Sequence, residues 1–227
     1  MSEASGFTVK PTEEFTASEA KDAKTYWSSL AVPDFYKKPQ THWSNFMAEQ
    51  MLNLNPRSVL EFGCNVGRNL SVLRECAPAL ILKGVDINAE AVAFGRHERG
   101  LDLTQADESF LQAQAENSFD VVFTVSVLDH LPNPGPVLAD MVRVSRLGVL
   151  LLEPSLGKEG KVLKPESCQS GSPTSETPYS YSWDYERLAR ELPVELSKLH
   201  YPLSGTLLGP YYYLFRLIKR ATIQPLT

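Results

Sequence analysis

The stretch Ser58-Val59-Leu60-Glu61-Phe62-Gly63-Cys64-Asn65-Val66-Gly67-Arg68-Asn69-Leu70 constrains this chain more than any other. A short apolar run passes an acidic residue, turns through two glycines and enters a helical pattern. An open α/β sheet makes its ligand crevice in that order, at the carboxyl end of its first strand. Gly63 can take a positive φ and Gly67 lets backbone approach a ligand or the sheet closely, because neither carries a Cβ. Asn65 lies between them, and Asn is among the few other residues that tolerate the left-handed region.

A second feature follows at the matching distance. Leu80 to Asp86 reads as a strand, with Asn88 as the N-cap of a helix through Arg96. Dinucleotide-type sites place a carboxylate about 20 residues beyond the glycines, where it can accept two hydrogen bonds from a ribose diol. Asp86 stands there, although capping the following helix would also explain it. Together the two features resemble motif I and the second strand of class I S-adenosylmethionine-dependent methyltransferases, acidic-x-Gly-x-Gly-x-Gly, with Asn65 replacing the middle glycine. The resemblance runs from about Pro56 to the C-terminus.

That resemblance implies an α/β fold: a Rossmann-like three-layer sandwich around a seven-stranded, mostly parallel sheet with an antiparallel last strand. It implies S-adenosylmethionine as cofactor. The cofactor-binding residues it carries over are Glu61, Gly63, Cys64, Asn65, Gly67, Arg68 and Asn69 around the turn, and Asp86 with Ile87 at the ribose. Asp107 and Glu108 fall at the adenine, and Val125 and Ser126 beside the methionine part. Ordinary readings stay open beside these. Asp107-Glu108 also suits the first turn of a helix, and Arg68 also suits a solvated surface.

The alternation agrees with that fold. Apolar runs at 58–62, 80–86, 101–106, 119–125 and 149–152 alternate with helical stretches, which implies right-handed crossovers and a parallel sheet. Runs at 194–202 and 211–218, separated by turn residues, read as a closing hairpin. Residues 1–20 are polar and expected to be a disordered tail. Residues 21–55 are expected to form a helical cap, with Thr41 capping a helix to Leu54. Residues 56–227 are the methyltransferase domain, within which 155–180 read as a lid-like loop and Ser182 as the N-cap of a helix to Glu191.

Composition narrows the partners. The 227 residues are 43% hydrophobic and carry a net charge of −5 from 22 Lys+Arg and 27 Asp+Glu, a balance that argues against an extended nucleic-acid surface. Cys64, Cys76 and Cys168 form no C-x-x-C pair and no Cys/His set with zinc spacing, so no metal is expected and reduced thiols are. No apolar run reaches the roughly 20 residues that span a bilayer, and nothing resembles a signal peptide, so a cytoplasmic protein is expected. Monomer and homodimer both remain open.

The segment after the fourth strand, Thr124 to Leu131, resembles the substrate-facing segment of small-molecule methyltransferases. His130 is the candidate base there, because an imidazole near its ordinary pKa of ~6.5 is largely neutral at pH 7. His42 is its rival, and capping of the loop is the plainer alternative. Tyr26, Trp27, Tyr36, Asp129, Tyr181 and Trp183 are candidate substrate-side residues, although aromatic rows more often pack than recognise. The reading is a methyltransferase acting on a small molecule, at oxygen more than nitrogen or carbon. A non-catalytic adaptor that keeps the fold and a nicotinamide oxidoreductase are the alternatives; the latter's Gly-x-Gly-x-x-Gly is not met here.

Overall fold

A computed structural model describes residues 7–11, 17–38, 42–163, 179–203 and 208–220. The elements run β1 (Thr8–Lys10), α1 (Ala17–Ser29), α2 (Asp34–Lys37), α3 (His42–Leu52), β2 (Ser58–Phe62), α4 (Arg68–Cys76) and β3 (Ile81–Asp86). They continue with α5 (Ala89–Arg99), β4 (Leu103–Gln105), α6 (Ser109–Ala113), β5 (Phe119–Val125), α7 (Gly135–Val144), β6 (Ser145–Pro154) and β7 (Gly160–Leu163). The chain closes with β8 (Tyr181–Ser182), α8 (Tyr185–Ala189), β9 (Val194–His200) and β10 (Tyr212–Lys219).

Seven strands form one sheet in the order β4-β3-β2-β5-β6-β10-β9. The first five pair in parallel. The last strand in sequence, β10, lies between β6 and β9 and runs antiparallel to both. The chain order reverses at β2, so the crevice at the carboxyl ends of β2 and β5 is the topological switch point where open α/β sheets bind ligands.

Strand periodicity sorts the core into two layers. Leu60, Val122, Val149, Leu151 and Phe215 face α7 and α8, where Leu138, Met141 and Tyr185 cover them. Val59, Val121, Phe123, Leu150, Leu152 and Leu214 face the other way, onto Met47 and Met51 of α3 and Leu70 and Leu73 of α4. Successive side chains on a strand point to opposite faces, so strands buried on both sides must be apolar at every position. This is the three-layer α/β sandwich read from the sequence.

The ends of the chain differ from expectation. Thr8–Lys10 lies within the segment expected to be a disordered tail, yet it pairs antiparallel with Gly160–Leu163. Phe7 and Val9 pack on the core, and the Phe7 ring meets Tyr211 edge-on at 6.0 Å. Two apolar side chains suffice there because a partner strand supplies the backbone hydrogen bonds. That partner falls inside the expected lid-like loop, so part of 155–180 is strand; 164–178 lie outside the described residues, as do 1–6, 12–16 and Thr41. Helix α8 starts two residues later than expected. Asp184, not Ser182, is its N-cap and accepts from the Arg187 N–H, while Ser182 belongs to β8. Helix α5 runs on to Arg99 and stops at Gly100 in the left-handed conformation.

Packing is tight where the motif turns. A Cβ on Gly63, whose φ is +73°, would sit 2.3 Å from a Val127 methyl. Gly63→Ala is therefore expected to destabilise the fold by about 1–3 kcal/mol, through backbone strain and overpacking together. Chemical denaturation of that variant and of Gly63→Ala/Val127→Ala tests this. The double variant should recover part of the loss, and equal stability of Gly63→Ala and the parent would refute the packing argument.

Candidate functional site

The turn after β2 is locked to the next strand before any ligand is considered. The Gly63 and Cys64 N–H groups both donate to the Val85 carbonyl, at 2.8 and 3.0 Å. Gly63, Asn65 and Gly67 all take positive φ (73°, 49° and 73°), which coils the chain back into α4. Asp86, at the end of β3, accepts from the Asn65 N–H at 2.7 Å and from the Asn88 N–H at 2.8 Å. Burial raises its carboxyl, and those backbone donors oppose the rise. Each of its oxygens keeps acceptor capacity beyond these bonds, so the helix-end and ligand-binding roles of Asp86 coexist.

Beneath the turn sits Glu61, about 1% exposed. Its Oε1 accepts from Asn69 Nδ2 at 2.6 Å, and Asn69 Oδ1 in turn accepts from Ser44 Oγ at 2.6 Å. Its Oε2 is buried and finds no hydrogen-bond partner among the described residues. Burial pushes the Glu61 carboxyl up to about 8, partly opposed by Asn69. A buried acceptor without a donor is costly. It is also what a ligand cation or hydroxyl would satisfy.

Helix α1 covers this floor. Lys24 bridges to Asp107 at 3.0 Å and to Glu108. Asn88, while capping α5, donates through Nδ2 to the Trp27 and Leu30 carbonyls at 3.1 and 2.7 Å. Glu19 accepts from Lys161 Nζ at 2.9 Å and from the Tyr181 hydroxyl at 2.8 Å. The Ser109 hydrogen bonds, with Lys24 adding to them, hold Asp107 down at about 2. Between α1 and the strand ends lies a cleft of about 610 Å³, within the usual range for small-ligand sites.

The cleft gathers most of the residues singled out from the sequence. Glu61, Gly63, Cys64, Asn65, Arg68, Asn69, Asp86, Ile87, Asp107, Glu108, Val125 and Ser126 line it, together with Trp27, Tyr36 and His130. The others fall elsewhere. Gly67 faces inward, where a Cβ would meet Leu101 at 2.4 Å, so it shapes the turn without lining the cleft. His42 is exposed at the start of α3, its ring against Trp43. Tyr181 and Trp183 are buried and stacked on each other in the core that α7 and α8 build. Tyr26 packs on Trp27 and Tyr179 outside the cleft wall. Asp129 lies beneath the cleft, 2% exposed.

Sequence reasoning passed over Lys24, Tyr212 and Glu153. Lys24 carries no signal in a polar helix, because its partners are more than eighty residues away. Tyr212 lines the cleft and donates to Ser126 Oγ at 2.6 Å. Glu153 did carry a signal: it is the one acidic residue in the otherwise apolar run from Val149 to Pro154.

Residues 60–152 match a family model described as a methyltransferase domain. The chain is 32% identical over 125 residues to phthiotriol/phenolphthiotriol dimycocerosates methyltransferase 1 of Mycobacterium ulcerans, covering 54% of this chain and 46% of that one. It is 28% identical over 157 residues to the tRNA N(3)-methylcytidine methyltransferase Mettl2 of Drosophila melanogaster, covering 60% and 48%. The chain thus spans about half the length of these curated relatives. Among solved structures, the plantazolicin methyltransferase BpumL bound to a triazolic desmethylPZN analog and SAH superposes with a TM-score of 0.58 at 16% identity, over 91% of this chain and all of that one. A SAM-dependent methyltransferase from Archaeoglobus fulgidus gives 0.54 at 15% identity, over 78% and 94%. Residues 60–152 thus carry the methyltransferase-domain match on a sheet of the class I S-adenosylmethionine-dependent methyltransferase topology, with the cleft at its switch point.

S-adenosylmethionine is the cofactor of that family, and the residues present fit it. The unsatisfied Glu61 oxygen suits an ammonium group, the Asp86 oxygens suit ribose hydroxyls, and the coiled turn brings backbone close without side chains in the way.

The buried carboxyl makes a pH-dependent prediction. The pKa of Glu61 in the fold, about 8, exceeds its ordinary value of 4.5. Its contribution to stability is therefore complete below the ordinary value and is lost as pH rises toward the folded one. Glu61→Gln should escape that loss. The ligand-free variant should gain on the parent by about 1–3 kcal/mol as pH rises from about 5 to 8, while its cofactor affinity falls. Urea denaturation across that range would read the widening gap; a gap that stays constant would mean that Glu61 does not titrate there.

Proposed function

We propose that this chain transfers the methyl group of S-adenosylmethionine to the hydroxyl of a small molecule, with His130 taking the proton. The observation that carries the reading is the setting of His130. Its ring lies on Trp27 with centroids 4.4 Å apart, and its Nδ1 is 2.9 Å from the Tyr179 carbonyl. A carbonyl can only accept, so the neutral ring holds its proton on Nδ1 and its lone pair on Nε2. His130 lines the cleft and His42 does not, which favours His130 for the role.

When bound, the cofactor supplies an electrophilic methyl on a sulfonium. The remaining work belongs to the protein. Glu61 and Asp86 take the ammonium and ribose groups. Arg68 takes the carboxylate: its guanidinium stands over the Tyr36 ring at 4.9 Å and donates to the Phe35 carbonyl at 3.3 Å. Positioning the acceptor in line and excluding water contribute most in such a displacement. Helix α1 excludes the water.

The covered cleft and the net charge of −5 favour a small acceptor over a polynucleotide, although a tRNA cytidine appears in one relative's name. No helix among the described residues is long and apolar enough to cross a membrane. A cytoplasmic site of action belongs to the same proposal.

Calorimetry should find micromolar binding of S-adenosylhomocysteine, and Asp86→Ala should weaken it by about 1–3 kcal/mol. Binding of a nicotinamide dinucleotide in its place, or of neither ligand, would overturn the reading in favour of an oxidoreductase or an adaptor. Once an acceptor is found, His130→Ala should lower turnover by roughly 10²–10⁴-fold with cofactor affinity little changed. Full activity would assign the proton to another group.

A further inference from the structure

His130 does not stand alone on its loop. The turn that carries it, Val127 to His130, is held from below by one side chain that the sequence hides in a strand. Glu153 Oε1 accepts from the Val127 N–H at 3.0 Å and the Leu128 N–H at 3.3 Å, and Oε2 accepts from the Asp129 N–H at 3.3 Å. Thr124 Oγ1 donates to the same carboxyl at 3.4 Å. Three successive N–H groups therefore converge on one fully buried carboxyl. Such an arrangement fixes a short turn as an N-cap fixes a helix.

Asp129 lies within that turn. Its Oδ1 accepts from Ser126 Oγ at 3.3 Å and stands 3.7 Å from His130 Nε2. Ser126, at φ +54°, in turn accepts from the Tyr212 hydroxyl. The Tyr179 carbonyl defines one side of the imidazole, so the edge that gains a proton on ionisation is the edge facing Asp129. At that distance an imidazolium and a carboxylate attract strongly in a site that excludes water.

We propose that Glu153 and Asp129 are positioning residues for His130: Glu153 fixes the turn that presents the ring, and Asp129 stabilises the proton that arrives on Nε2. The catalytic meaning rests on His130 being the base; the arrangement itself does not. Asp129 faces this edge; the titratable groups around Asp129 are Glu153 on β6, Tyr185 on α8 and Tyr36 on α2, with Tyr212 on β10 linked to it through Ser126. Burial, with the charge of Asp129 adding to it, pushes the Glu153 carboxyl well above the usual carboxylate range. Burial and the same two acids raise the Tyr185 hydroxyl. The two buried carboxyls disfavour each other's charge, and whichever change leaves the charge on Asp129 strengthens its hold on His130.

Imidazole ¹⁵N NMR of the full chain tests this without an acceptor. The chain has four histidines, and the His130 signals are those missing from His130→Asn. At high pH the parent ring should carry its proton on Nδ1. Asp129→Asn should shift the His130 titration about one unit lower, a roughly tenfold weaker hold on the proton. Glu153→Gln should leave it in place or raise it, because the charge then stays on Asp129. A merely structural role would move both variants the same way and would overturn the proposal. If either variant fails to fold, the parent still decides, since a neutral ring protonated on Nε2 overturns it alone. Should the expected NMR pattern appear while no methyl transfer is ever found, the arrangement stands and the base assignment fails.

Discussion

One carboxylate joins the parts of this molecule that must move together. Asp86 receives the N–H of Asn65 from the glycine turn and the N–H of Asn88 from the start of α5. Asn88, so placed, caps α5 through its Oδ1 and reaches through its amide to the backbone of α1 and the segment after it. A chain of polar contacts thus runs from the first crossover, through the second strand, to the cover of the cleft. None of these bonds is large by itself, but each places the donor for the next. In a low-dielectric crevice such a set is worth more than its members taken singly.

Charge is distributed unevenly around that crevice. Glu61 is buried with an unmet oxygen, Asp86 is nearly buried, and Asp107 and Glu108 share the single cation of Lys24. Arg68 balances the inner acids through space while lying on an aromatic face. Buried acids held in this way suit a ligand that brings positive charge and disfavour a polyanion. The preference follows from where burial leaves carboxylates undercompensated, and net charge alone would not show it.

The interior of the sheet was legible because burial on both faces leaves few alternatives. Val121-Val122-Phe123 and Val149 to Leu152 cannot face water on either side, and they read as central strands for that reason. The glycine turn was legible because positive φ restricts residue choice sharply. The ties of the cap were not. Lys24 and Glu19 find their partners 83 to 162 positions away, and local patterns carry no record of such pairings. Tyr181 and Trp183 misled for a related cause. A polar, aromatic run resembles a binding loop until a strand such as β7 arrives to pair with it and turn its rings inward. Thr8–Lys10 was missed in the same way, as the distant member of that pairing.

Among the described residues, helix α1 contributes a single deeply buried side chain, Ala23, to a structure whose two apolar layers form without it. Its ties are partly exposed ion pairs, each worth little in water, a hydrogen bond from Asn88 and the aromatic contacts of Tyr26 and Trp27. Opening the cover therefore belongs to the low-energy end of the molecule's fluctuations, separate from melting of the sheet. Salt, which weakens those ion pairs and leaves apolar packing intact, would act on access to the crevice before it acted on the fold. The same protein thus sets a floor fixed by steric exclusion around the turn beneath a cover held in part by ion pairs.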